Sequence, residues 1–126
     1  FVVYGNSNTL KQNVASNNFV GIYVSGNSNT LKQNEAKKSY DQGYFVTGKS
    51  NTLKQNVASN NFVGIYVSGN SNTLQQNVAK KNESDGFFVY GNSNTLKGNK
   101  ATGNIDTGFV IYDTTTGNTV KKNKAA

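Results

Sequence analysis

The groups that could carry acid–base or metal chemistry in this 126-residue chain are six carboxylates: Glu35, Asp41, Glu83, Asp85, Asp106 and Asp113. Histidine, cysteine, methionine and tryptophan are absent, and all thirteen basic residues are lysines. Abstracting a proton requires a base and a means of stabilising the developing charge. A calcium ion requires six to eight oxygens at about 2.3–2.6 Å. Asp41, Asp85 and Asp106 stand in equivalent turns of a repeating segment, one or two repeats apart, which spaces them by roughly 5–10 Å. Too few oxygens converge on any one point. The expectation is turn-forming carboxylates that face solvent, with no catalytic residue, no metal ligand and no cofactor.

Two further sets could make contacts rather than do chemistry. Val2, Tyr23, Phe45, Tyr66, Phe88 and Val110 form an outward stripe, in which Tyr23, Phe45, Tyr66 and Phe88 are the candidate contacts. Exposed rings in a row are costly unless something covers them. They could stack on sugar rings, pack against another chain, or be covered within their own coil. The second set is Lys11, Lys32, Lys54 and Lys97, in a row completed by Gln75 and Lys121. It is a candidate polyanion contact, set against the plain reading of a solvated face. Without arginine there is no planar fork for phosphate, so nucleic acid is not an expected partner. The threonines two residues earlier in each copy could suggest an ice-binding row, which the adjacent lysines spoil. Asn82-Glu83-Ser84 matches a glycosylation acceptor.

What positions these sets is a repeat. Asn-Thr-Leu recurs with its leucine at 10, 31, 53, 74 and 96, and a variant places Val120 last, giving intervals of 21, 22, 21, 22 and 24 residues. Such a period marks a solenoid. Residues 50–74 repeat 7–31 without change. Each copy of a short β-branched and aromatic run, such as Ile22-Tyr23-Val24-Ser25, follows a glycine and precedes a Gly-Asn-Ser type turn. A second short strand, Asn-Thr-Leu-Lys/Gln, comes next and ends at a further asparagine. Two residues beyond it an alanine recurs at 15, 36, 58, 79, 101 and 125. The segment after the alanine is the least regular part, and it absorbs the extra residue of the longer coils. The corner Asp113-Thr114-Thr115-Thr116 accounts for the longest interval.

Low hydrophobicity and a net charge of +7 would by themselves suit a disordered chain. The fixed apolar columns exclude that: leucines, alanines, Ile22/Tyr44/Ile65/Phe87/Phe109 and Val24/Val46/Val67/Val89/Ile111 point inward. The absence of proline suits a backbone that pairs almost continuously. Leucine-rich repeats share the length range but require a longer apolar consensus and often a helical return. The pattern instead predicts an all-β, single-stranded parallel β-helix of about six coils, on the order of 28 Å long. Asn8, Asn29, Asn51, Asn72, Asn94 and Asn118 should form one hydrogen-bonded ladder, and Asn13, Asn34, Asn56, Asn77, Asn99 and Asn123 another. Residues 1–126 read as a single solenoid domain, a fragment or an uncapped repeat unit.

The run Asn29-Thr30-Leu31-Lys32-Gln33-Asn34-Glu35-Ala36, with Gly64-Ile65-Tyr66-Val67-Ser68, resembles the right-handed parallel β-helix repeats of the NosD family. The same repeat is similar to those of the wider carbohydrate-binding and sugar-hydrolase (CASH) class, which includes pectate lyases and mannuronan epimerases. The resemblance implies a right-handed coil. For NosD it also implies a link to copper-site maturation, which would call for imidazole or sulfur ligands that this chain lacks.

The expected function is structural: an extracellular or cell-surface solenoid, not an enzyme, whose partner is another copy stacked end to end in a filament. The alternative is a non-catalytic carbohydrate-binding segment whose partner is a polysaccharide. No apolar run is long enough for a membrane span.

Overall fold

The computed structural model describes residues 1–113 and 117–126, and among them the fold is all-β, with eighteen short strands in three parallel six-stranded sheets. Each coil gives one strand to each sheet. In the second coil these are Ile22–Ser25, Thr30–Lys32 and Glu35–Lys37. The coils stack in register, so every repeat column becomes a physical row. Ile22 pairs with Tyr44, Tyr44 with Ile65, and Ile65 with Phe87. Leu31 pairs with Leu10 and Leu53, and Ala36 with Ala15 and Ala58.

The third sheet corrects the sequence reading, which recognised two strands per coil. The alanine column lies in a strand of its own, Val57–Ser59 for example, paired with its neighbours above and below. This strand is no shorter than the second strand, but its fixed residue is alanine, which is depleted in strands, and its neighbours vary in charge and size. The first strand is also longer than expected in two coils, where Gln42–Thr47 and Val63–Ser68 run through the glycine.

The inward columns make a thin continuous core in which Ile22, Val24, Leu31, Tyr44, Leu53, Ile65, Leu74, Phe87 and Leu96 are fully buried. At the last coil Phe109 and Ile111 are only partly buried and Val120 is exposed. In this structure the strands that carry them pair on one side alone. The tyrosine in the isoleucine column is accommodated because its hydroxyl donates to the Val57 carbonyl at 3.2 Å. Burial, reinforced by the Glu35 charge, pushes the Tyr44 phenol far above its usual range, so it stays neutral and structural.

The corners are tight. Among the described residues they carry positions in the left-handed region, with φ of 54–60° for the non-glycine cases: Ser28 at the first corner, Gln33 at the second, Lys38 at the third, and their counterparts along the rod. At the first corner coils approach so closely that a Cβ on Gly69 would lie 1.9 Å from the Gly48 carbonyl oxygen. The wide fifth-coil corner expected at Thr114–Thr116 lies outside the described residues.

Asparagines close the gaps between sheets. Asn56 is fully buried; its Oδ1 accepts from the Asn34 backbone N–H at 2.9 Å and from Asn34 Nδ2 at 3.0 Å. Its own Nδ2 donates to the Leu31 carbonyl at 2.8 Å. The same pattern runs from Asn13 through Asn34, Asn56, Asn77 and Asn99 to Asn123. At the first corner a second ladder links Asn8, Asn29, Asn51, Asn72, Asn94 and Asn118, each backbone N–H donating to the next side chain. These amides take up backbone groups that turn away from the strand ladders, and which would be costly to bury unpaired.

Candidate functional site at the third corner

The segment after each alanine, which reads as irregular, holds a third ladder. The Asn61 backbone N–H and Nδ2 donate to Asn82 Oδ1 at 3.0 and 3.2 Å, and those of Asn82 donate to Asn104 Oδ1 at 3.0 and 2.8 Å. Asn61 Nδ2 and Asn104 Nδ2 reach back to the carbonyls of Ala36 and Ala79, each at 3.1 Å. The signal was present: Asn18, Asn61, Asn82 and Asn104 each stand three residues after an inward alanine, as Asn13 follows Leu10. Asn82 is buried and bonded in this way, so its side chain is not available as a glycosylation acceptor in the folded chain.

In the second full coil Ser39 takes the ladder position. Its N–H donates to Asn61 Oδ1 at 2.9 Å, but a serine has no amide to carry the ladder on toward Asn18. Ser39 is 5% exposed and its Oγ has no hydrogen-bond partner. Asn18 instead makes a local bond to the Ser16 carbonyl.

The residue after each ladder position points outward. This column contains Phe19, Tyr40, Phe62, Glu83 and Ile105. The backbone bonds Tyr40 N to Asn18 O, Glu83 N to Asn61 O and Ile105 N to Asn82 O hold it in line. Tyr40 is 80% exposed, Phe19 66% and Phe62 47%. The Phe19 and Tyr40 rings stack at 5.5 Å. Ser39, Tyr40, Asp41, Phe62 and Glu83 line a groove of about 530 Å³. It adjoins a shallower one bounded by Asn17, Phe19, Lys38 and Asn60. Rings, carboxylates and amides thus meet on one open edge of the rod.

The residues singled out from sequence lie elsewhere. Tyr23, Phe45, Tyr66 and Phe88 form a continuous stack on the outer face of the first sheet, with centroids 5.2, 5.1 and 4.9 Å apart. All four are half-buried. Parallel in-register strands set their faces against each other, so the rings largely cover one another. Lys11, Lys32, Lys54 and Lys97 stand in single file on the second sheet, Lys32 and Lys54 half-buried and Lys11 and Lys97 exposed. Among the acids, Asp85 Oδ1 accepts from the Thr107 N–H at 3.2 Å and Asp106 Oδ2 from the Ser84 hydroxyl at 3.0 Å. Both tie down turns. Among the described residues no three histidine, cysteine or acidic side chains cluster as a metal site would require.

A family model described as periplasmic copper-binding protein (NosD) matches residues 1–124. No curated protein and no solved structure matches the chain. The residues do not fit copper: imidazole, thiolate and thioether are all missing, and the carboxylates and amides that remain suit harder cations. With the repeat, the three stacked sheets and a match over nearly its whole length, the chain belongs to the NosD family.

Proposed function

We propose that this chain is a non-catalytic carbohydrate-binding β-solenoid of the cell envelope or cell surface, and that it holds a saccharide chain along its third corner. The observation that carries the reading is the pair of exposed rings, Tyr40 and Phe62, flanking a groove that also presents Asp41 and Glu83. A ring presents a flat apolar face to the C–H face of a pyranose, a contact of about 0.5–1.5 kcal/mol for aromatic pairs. A carboxylate accepts hydrogen bonds from sugar hydroxyls, each about 1.5–3 kcal/mol for a charged partner. The coil rise of about 4.8 Å sets successive contacts at a spacing comparable to one sugar unit. Binding rather than turnover is supported by the exposure of Glu83, since charge stabilisation of this kind depends on a water-excluded site. The family's periplasmic description supports an envelope location. Affinity electrophoresis through neutral soluble glucans tests the reading. Retardation of the chain, lost in Tyr40→Ala and Phe62→Ala and kept in Tyr23→Ala and Tyr66→Ala, is the expected result. Loss only in the second pair would move the site to the flat stripe, and unretarded wild-type chain would overturn the reading.

A structural role, with copies stacked end to end in a filament, is the second reading. It is favoured by the sameness of the coil interface: residues 50–74 repeat 7–31, and the register is the same from coil to coil. Sedimentation over a concentration series, with electron microscopy, tests it; a monomer at every concentration contradicts it.

A further inference from the structure

The outer face of the third sheet changes character along the rod. On its second strand Lys37 is paired with Glu35, ammonium to carboxylate at 3.3 Å, the one ion pair among the described residues. Two coils on, the corresponding positions are Val78 and Lys80, and one coil further Lys100 and Thr102, with Val78 beside Lys100 and Lys80 beside Thr102. The acid has gone, and Lys100 stands in its column. Lys81, at the left-handed corner position, adds a third ammonium. Lys80, Lys81 and Lys100, with Val78, Thr102 and Gly103, line a cavity of about 330 Å³. The Thr102 hydroxyl oxygen is buried there without a hydrogen-bond partner. Lys100 is also the register partner of Lys124, which extends the charge into the last coil.

Lys80 and Lys81 are consecutive and Lys100 stands diagonal to Lys80 on the next strand, so three like charges repel at short range with no acid among the residues that line the cavity. An oxyanion among the three ammonium groups would remove the repulsion, and the Thr102 hydroxyl would gain an acceptor. We propose that this cavity binds an anionic substituent, a carboxylate, sulfate or phosphate ester, carried on a saccharide chain; the saccharide part rests on the reading of the third corner as a carbohydrate site. Lysine suits the task because a compact ammonium meets a single oxyanion from any side, without the planar geometry that arginine imposes. Lys81 stands immediately before Asn82 and Glu83, so a chain lying along the corner groove passes the cavity's edge. A nucleic acid fits less well, because the face offers neither arginine nor an aromatic ring on which a base could stack.

The test is titration of the whole chain, followed by isothermal calorimetry, with polygalacturonate, neutral dextran, inorganic sulfate and a single-stranded oligonucleotide of matched charge. Polygalacturonate should bind, weaken as salt rises, and lose about tenfold in affinity in Lys80→Gln/Lys100→Gln. Thr102→Val should lose a smaller part, and dextran binding should be the same in all variants. Undiminished polygalacturonate binding by the double variant would overturn the proposal. So would an oligonucleotide bound as tightly, or inorganic sulfate bound with no gain from the polymer. Lysine-dependent polygalacturonate binding without any dextran binding would uphold the anion site and remove the neutral-saccharide reading of the corner, so the two failures are distinguishable.

Discussion

At the first and second corners asparagine side chains join every coil to the next, from Asn8 to Asn118 and from Asn13 to Asn123, and the intervening members are buried. At the third corner the ladder stops at Ser39, and Phe19, Tyr40 and Phe62 stand in solvent beside a groove. The aromatic residues divide in the same way. Tyr23, Phe45, Tyr66 and Phe88 on the first sheet stack in a run and are half-buried, whereas at the third corner Phe19 and Tyr40 stack as a pair and all three rings stay exposed. A solenoid has little core per coil, so its stability is nearly additive over neighbour contacts. It can leave one edge unsealed only where the other two are continuous. The contrast separates the edges that hold the rod together from the edge that is free to bind.

Breaking a sealed edge should have the largest effect. Gly69→Ala would drive a Cβ into the Gly48 carbonyl at a positive φ. We expect a loss of more than about 4 kcal/mol, enough to abolish cooperative unfolding by urea. Asn56→Ala removes the acceptor of two Asn34 bonds and leaves a buried backbone N–H unpaired. A cost of about 3 kcal/mol is expected from the urea midpoint. Ser39→Asn sharpens the comparison from the other side, because it completes the third ladder on a backbone that already hosts asparagine at Asn82. It should stabilise by about 1 kcal/mol, read as a rise in melting temperature. Tyr40→Ala, at the open edge, should change stability by less than about 0.5 kcal/mol by the same melting assay. A large loss there would mean that the ring is part of the packing.

The fold was legible in the sequence because a parallel in-register stack turns each repeat column into one physical environment. The leucine, alanine and valine columns therefore announced the core, and two asparagine columns announced their ladders. The third sheet was not legible as a strand, since its fixed residue is alanine, which is depleted in strands, whereas the equally short second strand carries threonine and leucine. The third ladder was obscured by Ser39 and by the length change in that segment. The groove at the third corner was not legible for a related reason. Side-chain type marked Tyr23, Phe45, Tyr66 and Phe88 as candidates, but how much ring face remains free depends on ring-to-ring stacking between coils. Phe19 and Phe62 lie next to valines and asparagines in a stretch with no strand pattern, so only the structure shows their outward column. The charge change on the third sheet was readable as a swap of Glu35 for Val78 and Lys100, once the register was known.

The most direct test of the carbohydrate-binding reading is nuclear magnetic resonance of the labelled chain during titration with a soluble neutral glucan oligosaccharide. The account predicts shifts concentrated on Ser39, Tyr40, Asp41, Phe62 and Glu83, with the Tyr40 and Phe62 ring protons moving most. Shifts centred on Tyr23, Phe45, Tyr66 and Phe88, or a spectrum unchanged at saturating sugar, would contradict it.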